Sequence, residues 1–253
     1  MKWITGAGVV LVCWLGLSGS AFGASLVRVT PEGYLGSDPS FVTAPPGDSR
    51  VFLAERGDAG THQARIRIIK DGVPVTEPFL TIGNVDLASE RGLLSIAFAP
   101  DYASSGLFYA FYVAHGADGF GGNTGDIRIV EYKVSAGDPD QADPASARLV
   151  FSIPHSAGNH NGGWMAFGPD DDLYFSIGDN ATSSNAQALA NYYGKIMRIH
   201  PADPDGAGPA TYSVPTDNPF TSQAGAKKEI YALGLRNPYR ASFTPDGRLV
   251  IGD

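Results

Sequence analysis

Asn159-His160-Asn161-Gly162-Gly163-Trp164-Met165-Ala166-Phe167-Gly168-Pro169-Asp170-Asp171-Asp172-Leu173-Tyr174-Phe175-Ser176-Ile177-Gly178-Asp179 is the stretch from which the rest of the chain can be read. It parses as a loop, a strand (Trp164 to Phe167), a turn at Pro169-Asp170 and a second strand (Leu173 to Ile177). His160 precedes the first strand and Asp179 follows the second, so an antiparallel hairpin carries both to one rim of a sheet. An imidazole beside a carboxylate is the usual way to fix a histidine tautomer and supply a general base.

Outward from that hairpin the same pattern returns twice. Ala97-Phe98-Ala99-Pro100-Asp101, Ala166-Phe167-Gly168-Pro169-Asp170 and Ser242-Phe243-Thr244-Pro245-Asp246 each end a strand and open a turn, with the phenylalanines 69 and 76 residues apart. The second and third copies continue to matching ends, Ile177-Gly178-Asp179 and Ile251-Gly252-Asp253. A hairpin recurring inside a longer multi-strand unit is the pattern of β-propeller blades, and units of about four strands give roughly four blades here.

The segments between the repeats agree. Strands are predicted at 51–55, 65–69, 93–98, 107–113, 127–134, 149–153, 195–199, 212–214, 229–233, 241–243 and 248–251, and a single short helix around Ala186 to Tyr192. Gly 32 and Pro 18 make up about a fifth of the 253 residues, which signals many turns and few long helices. The fold class is therefore all-β.

Residues 1–23 read as a signal peptide, with Lys2 as the charged n-region, an apolar run over Gly8 to Leu17 and Ala21-Phe22-Gly23 at the cleavage site. The run is short for a membrane span, so a periplasmic or secreted mature chain with no membrane insertion is expected. The remaining 24–253 form the partial propeller domain. Cys13 lies in the signal segment, which leaves the mature chain without a disulfide or thiolate metal site. A formal charge of −8 argues against nucleic acid or an anionic membrane as partner. Because the sequence stops at a strand end with nothing to pair with the first strand, it reads as a fragment of a complete propeller.

Four ordered segments carry a resemblance over about residues 40 to 253: Ser89-Glu90-Arg91-Gly92-Leu93-Leu94 on to Pro100-Asp101; His160-Asn161-Gly162-Gly163 on to Gly178-Asp179; Gly194-Lys195-Ile196-Met197-Arg198-Ile199; and Tyr231 on to Arg236-Asn237-Pro238. In this order they resemble the soluble pyrroloquinoline-quinone (PQQ)-dependent glucose/sorbosone, or aldose sugar, dehydrogenases, which are six-bladed propellers with calcium and quinone on one rim. The run from Tyr212 to Phe220 fits the same pattern.

The resemblance implies that His160 is the general base that removes the sugar's hydroxyl proton as hydride passes to the quinone. It implies that Asp179 orients that base, and that Arg236 and Asn237 lie near the quinone oxygens, a planar, bidentate task that suits a guanidinium. Glu90 stands where the glucose enzymes carry a sugar-contacting Gln, and Asn159 replaces an Asp that often precedes the base. Both are expected near substrate, and both departures, with Trp164 at a position that is frequently polar, separate the reaction type from the identity of the sugar. Calcium would be held by backbone carbonyls beyond Asp253, so no metal ligand is assigned in this sequence. The partners implied are a small sugar and an electron acceptor.

Other chemistries find little support. No Gly-x-Gly-x-x-Gly stands between a strand and a helix, and neither His-Glu-x-x-His nor Gly-x-Ser-x-Gly occurs in the mature chain. His155 with His160 lacks a third metal ligand, and Asp203-Pro204-Asp205-Gly206 lacks the rest of a calcium loop. Two competing readings accompany the dehydrogenase. One is a propeller that only binds sugar or protein. The other is a calcium-dependent lactone hydrolase, against which the absence of a ring of metal-ligating Glu and Asn residues argues.

Overall fold

The computed structural model describes residues 38–205 and 210–253. The signal segment assigned to 1–23 and the first part of the 24–253 domain lie outside the described residues. The strands fall into four antiparallel sheets, each built from consecutive strands. In the first, β1 (Pro39–Thr43), β2 (Val51–Asp58) and β3 (Gln63–Lys70) run side by side, and the short β4 (Val73–Pro74) and β5 (Leu80–Ile82) both pair with β3. The second holds β6 (Leu93–Phe98), β7 (Leu107–Val113), β8 (Ile127–Val134) and β9 (Ala142–Ile153), with one turn of helix, α1 (Tyr102–Ser105), between the first two. The third holds β10 (Met165–Phe167), β11 (Leu173–Ile177), β12 (Lys195–Ile199) and β13 (Ile230–Leu233), and the fourth is a hairpin of β14 (Arg240–Phe243) and β15 (Leu249–Gly252).

The sheets stack face on face, and this explains why the inner strands are apolar throughout rather than alternating. Along β7, Phe108, Ala110 and Tyr112 join the core shared with the first sheet. Tyr109, Phe111 and Val113 point the other way into the core shared with the third. A strand buried on both faces must be a continuous apolar run, whereas β3, near the outside, alternates Arg65 and Arg67 with buried Ile66 and Ile68.

The repeated phenylalanine does the same work in each sheet. Phe98 sets its ring 4.6 Å from Phe52 of the first sheet, Phe167 lies 5.5 Å from Tyr109 of the second, and Phe243 lies 5.1 Å from Tyr174 of the third. Each copy thus plugs the end of its innermost strand into the preceding sheet, with edge or tilted ring geometry that adds to plain burial.

Some expectations are corrected. The helix expected around Ala186 to Tyr192 is a 3₁₀ turn over Ser183–Gln187, because the chain must bend back at once toward β12. Tyr212 to Val214 makes only a single bridge, between Ser213 and His200. β1 and β5 were not anticipated, since Pro39–Thr43 and Leu80–Ile82 are too short to show a period. Of the roughly four blades expected, three are sheets of four or more strands and the last is a two-stranded hairpin. No helix among the described residues is long and apolar enough to cross a membrane.

Candidate functional site

The β10–β11 hairpin pairs Met165 with Phe175 and Phe167 with Leu173. The pairing continues outward, as the Ser176 N–H donates to the Trp164 carbonyl and the Gly163 N–H to the Ser176 carbonyl. That extension carries the 159–163 loop over the end of β11 and delivers His160 to Asp179: Nδ1 lies 2.6 Å from Oδ1, with both side chains nearly buried. A carboxylate only accepts, so Nδ1 carries a proton toward Asp179, and Nε2 has no hydrogen-bond partner among the described residues.

The close approach depends on one residue with no side chain. A Cβ on Gly178 would sit 1.9 Å from the His160 carbonyl oxygen. His160 itself has a φ of 57°, a left-handed conformation that costs a side-chain-bearing residue about 1 kcal/mol or more and persists only when its surroundings enforce it. Those surroundings reach it from several directions. The His160 N–H donates to Glu90 Oε2 at 2.9 Å, and its carbonyl oxygen lies 3.0 Å from His155 Nε2. The Gly162 N–H donates to Asn237 Oδ1 at 2.9 Å.

The loop leading into β14 is tied to the same place. The Asp179 N–H donates to the Arg236 carbonyl at 2.7 Å, while the Arg236 and Asn237 N–H groups both donate to the Asp253 carboxylate. A cavity of about 340 Å³ is lined by Arg56, Glu90, Leu94, Asn161, Gly162, Asn237 and Tyr239, so it reaches the chain neighbours and hydrogen-bond partners of His160 but not His160 or Asp179 themselves. Glu90, His160 and Asn237 lie on the loops that enter β6, β10 and β14, and Arg56 of β2 joins them on the cavity wall or beside it.

Residues 38–252 match the sequence profile of the Glucose / Sorbosone dehydrogenase family. The chain belongs to this family. Among its relatives, Hedgehog-interacting protein of Mus musculus is 30% identical over 214 residues, covering 80% of this chain and 29% of that one. Aldose sugar dehydrogenase YliI of Escherichia coli K12 is 30% identical over 203 residues, covering 79% of this chain and 48% of that one. The PQQ-bound aldose sugar dehydrogenase of Streptomyces coelicolor superposes with a TM-score of 0.64 at 26% identity, over 85% of this chain and 56% of that one. The chain thus spans about half or less of the length of the two curated relatives. The nearly all-β, antiparallel architecture is that of these propeller-type dehydrogenases.

Seen as a glucose/sorbosone dehydrogenase fold, the residues singled out in sequence distribute unevenly. The structure brings His160, Asp179, Glu90 and Asn237 together by direct side-chain bonds. Arg236 joins through its backbone alone, and its exposed guanidinium has no ion-pair partner among the described residues. Asn159 is half-buried, and its side chain has no hydrogen-bond partner among the described residues.

Three contributors escaped sequence reasoning. Arg91, inside a quoted motif, stretches beneath the His160 loop. Asn161 places on the cavity wall a side chain whose Oδ1 is buried without a partner. Lys195, fully buried, donates to the Asn185, Ala186 and Tyr193 carbonyls and so pins the 183–194 loop behind Asp179. Burial pushes its ammonium down to about 8.

The Arg236 guanidinium, exposed and without an ion-pair partner among the described residues, and the Asn161 Oδ1 on the cavity wall are groups that an acidic, hydrogen-bonding aromatic quinone could engage. Among the described residues no group of three or more His, Cys, Asp or Glu side chains gathers, and calcium, which also takes backbone carbonyl oxygens, is assigned no ligand in them.

Proposed function

We propose that this chain belongs to an exported, PQQ-dependent oxidoreductase that oxidises an aldose or related sugar at a hydroxyl group, with His160 as general base. The observation that carries the reading is the 2.6 Å bond from His160 Nδ1 to Asp179. It fixes the tautomer, leaves the Nε2 lone pair free and sets a carboxylate to stabilise the imidazolium formed when the sugar hydroxyl gives up its proton. The strained backbone of His160 holds that lone pair in place before substrate arrives, so little reorganisation accompanies proton transfer.

Glu90 uses one carboxylate oxygen on the His160 N–H, and its other oxygen suits a sugar hydroxyl. Asn159, at the outer end of the same loop, is a second candidate for substrate contact. Arg236 and Asn237 are the residues that would hold the quinone. When bound, PQQ supplies the acceptor for the hydride that leaves the sugar carbon. The physiological electron acceptor, and periplasmic or secreted location, complete the reading.

The test is to load the intact parent protein with PQQ and calcium, add aldoses and follow reduction of an artificial electron acceptor. Sugar-dependent reduction that His160→Gln abolishes is expected; undiminished turnover in that variant refutes the assignment of the base. The similarity to Hedgehog-interacting protein favours a second reading, a propeller that binds a partner without catalysis. A folded protein that does not bind PQQ, measured by quenching of its tryptophan fluorescence, would select that alternative.

A further inference from the structure

Arg91 is almost fully buried, and the groups around it explain why a cation is there. Its Nη1 lies 2.5 Å from Asp86 Oδ2, itself buried. Its Nη2 faces three successive carbonyls, those of His155, Ser156 and Ala157, at 3.2, 3.1 and 3.0 Å. Just beyond, both ring nitrogens of His155 face carbonyl oxygens, Nδ1 that of Ala157 and Nε2 that of His160, each at 3.0 Å.

Two carbonyls ask for two donors. Burial, with the Arg91 charge adding in the same direction, holds His155 below the usual imidazole range, so near neutral pH the ring has a single proton to give. Ala157 already receives Arg91, whereas the His160 carbonyl has no other donor among the described residues.

We infer that Arg91, held by Asp86, is the positioning residue of the His160–Asp179 pair. By saturating the 155–157 carbonyls it sends the His155 proton to Nε2, where that proton anchors the His160 carbonyl and with it the left-handed backbone that aims the ring at Asp179. Arg91 also tempers the contact between the bare Nδ1 and the Ala157 oxygen by drawing on that oxygen's charge. Without the guanidinium, Ala157 becomes the stronger claimant, the His155 proton moves to Nδ1, and the His160 carbonyl loses its donor. The role rests on the proposed reaction for its purpose, but its measurement needs neither quinone nor sugar.

Two nuclear magnetic resonance signals on the ¹⁵N-labelled protein decide the matter: the ring nitrogen shifts of His155, which identify its tautomer, and the low-field Nδ1 proton expected of a His160–Asp179 bond this short. The wild type is expected to show His155 protonated on Nε2 together with the low-field proton. Arg91→Met is expected to move the His155 proton to Nδ1 and to lose the low-field signal, while Arg91→Lys, which keeps a charged donor, retains both. In the quinone-loaded enzyme, Arg91→Met should lower kcat on the order of 100-fold with KM little changed, the scale for a displacement of about 1 Å. A wild-type His155 protonated on Nδ1 overturns the inference, even if Arg91→Met fails to fold. So does a folded Arg91→Met protein that keeps both signals.

Discussion

Gly178→Ala isolates the contact on which the site depends. The added methyl would lie 1.9 Å from the His160 carbonyl oxygen and 2.5 Å from its carbon, and reaching ordinary van der Waals distance of 3.4 Å requires a shift of about 1.5 Å in a peptide held on both sides. Overpacking of this kind costs about 1–3 kcal/mol. Breaking the buried His160–Asp179 bond leaves a carboxylate without its donor, about 1–3 kcal/mol more. Together these are a large part of the ~5–15 kcal/mol that holds a domain folded.

The sequence repeat supplies its own control. Gly252 is the matching residue of the last hairpin, and there the nearest atom to an added Cβ is the Arg240 oxygen at 3.3 Å. Urea denaturation of the two variants should show Gly178→Ala destabilised by about 2–6 kcal/mol and Gly252→Ala by under about 1 kcal/mol. Equal losses would refute the claim that position 178 is glycine to let the His160 peptide rest on it.

Three other outcomes follow from the packing and the site. Asp179→Asn keeps an oxygen for Nδ1 but removes the charge that stabilises the imidazolium, so sugar-dependent acceptor reduction should fall on the order of 10²- to 10⁴-fold in an otherwise folded protein. Phe98→Ala, which empties the space between Phe52 and Phe108, should cost about 3–5 kcal/mol in a denaturant titration. Lys195 has its ammonium lowered from 10.5 to about 8 on burial, so between those values the unfolded chain binds more protons than the folded one and stability rises with pH. Measured against Lys195→Met, the wild-type denaturation midpoint should climb from pH 8 to 10, while the buried tyrosines, whose hydroxyls burial holds above their usual range, lower both midpoints alike toward pH 10.

The repeat was legible because its parts are local: a phenylalanine, a proline and an aspartate at fixed offsets report a strand end and a turn wherever they occur. The His160–Asp179 approach was legible for the same reason, since a hairpin of known length joins the two residues. What the sequence hid is whatever depends on distant segments. Arg91 lies 64 to 66 residues from the carbonyls it serves, Asn237 lies 75 from Gly162, and no spacing rule spans such gaps. Lys195 looked like one more charged strand residue, and only the folded 183–194 loop shows three carbonyls waiting for it. The 3₁₀ turn at Ser183–Gln187 and the single bridge at Ser213 were misread because composition there permits a longer element while the backbone must satisfy its neighbours first.

The braces on the His160 loop have a bearing on the order in which the protein assembles. The β10–β11 ribbon needs only a tight turn and can form within microseconds, but the links from Arg91 and Asn237 close loops of more than sixty residues and come together only when whole sheets have docked. The imidazole and its acid are therefore neighbours early and a rigid couple late, so weakening either long-range link should hasten unfolding while leaving the rate of folding almost untouched.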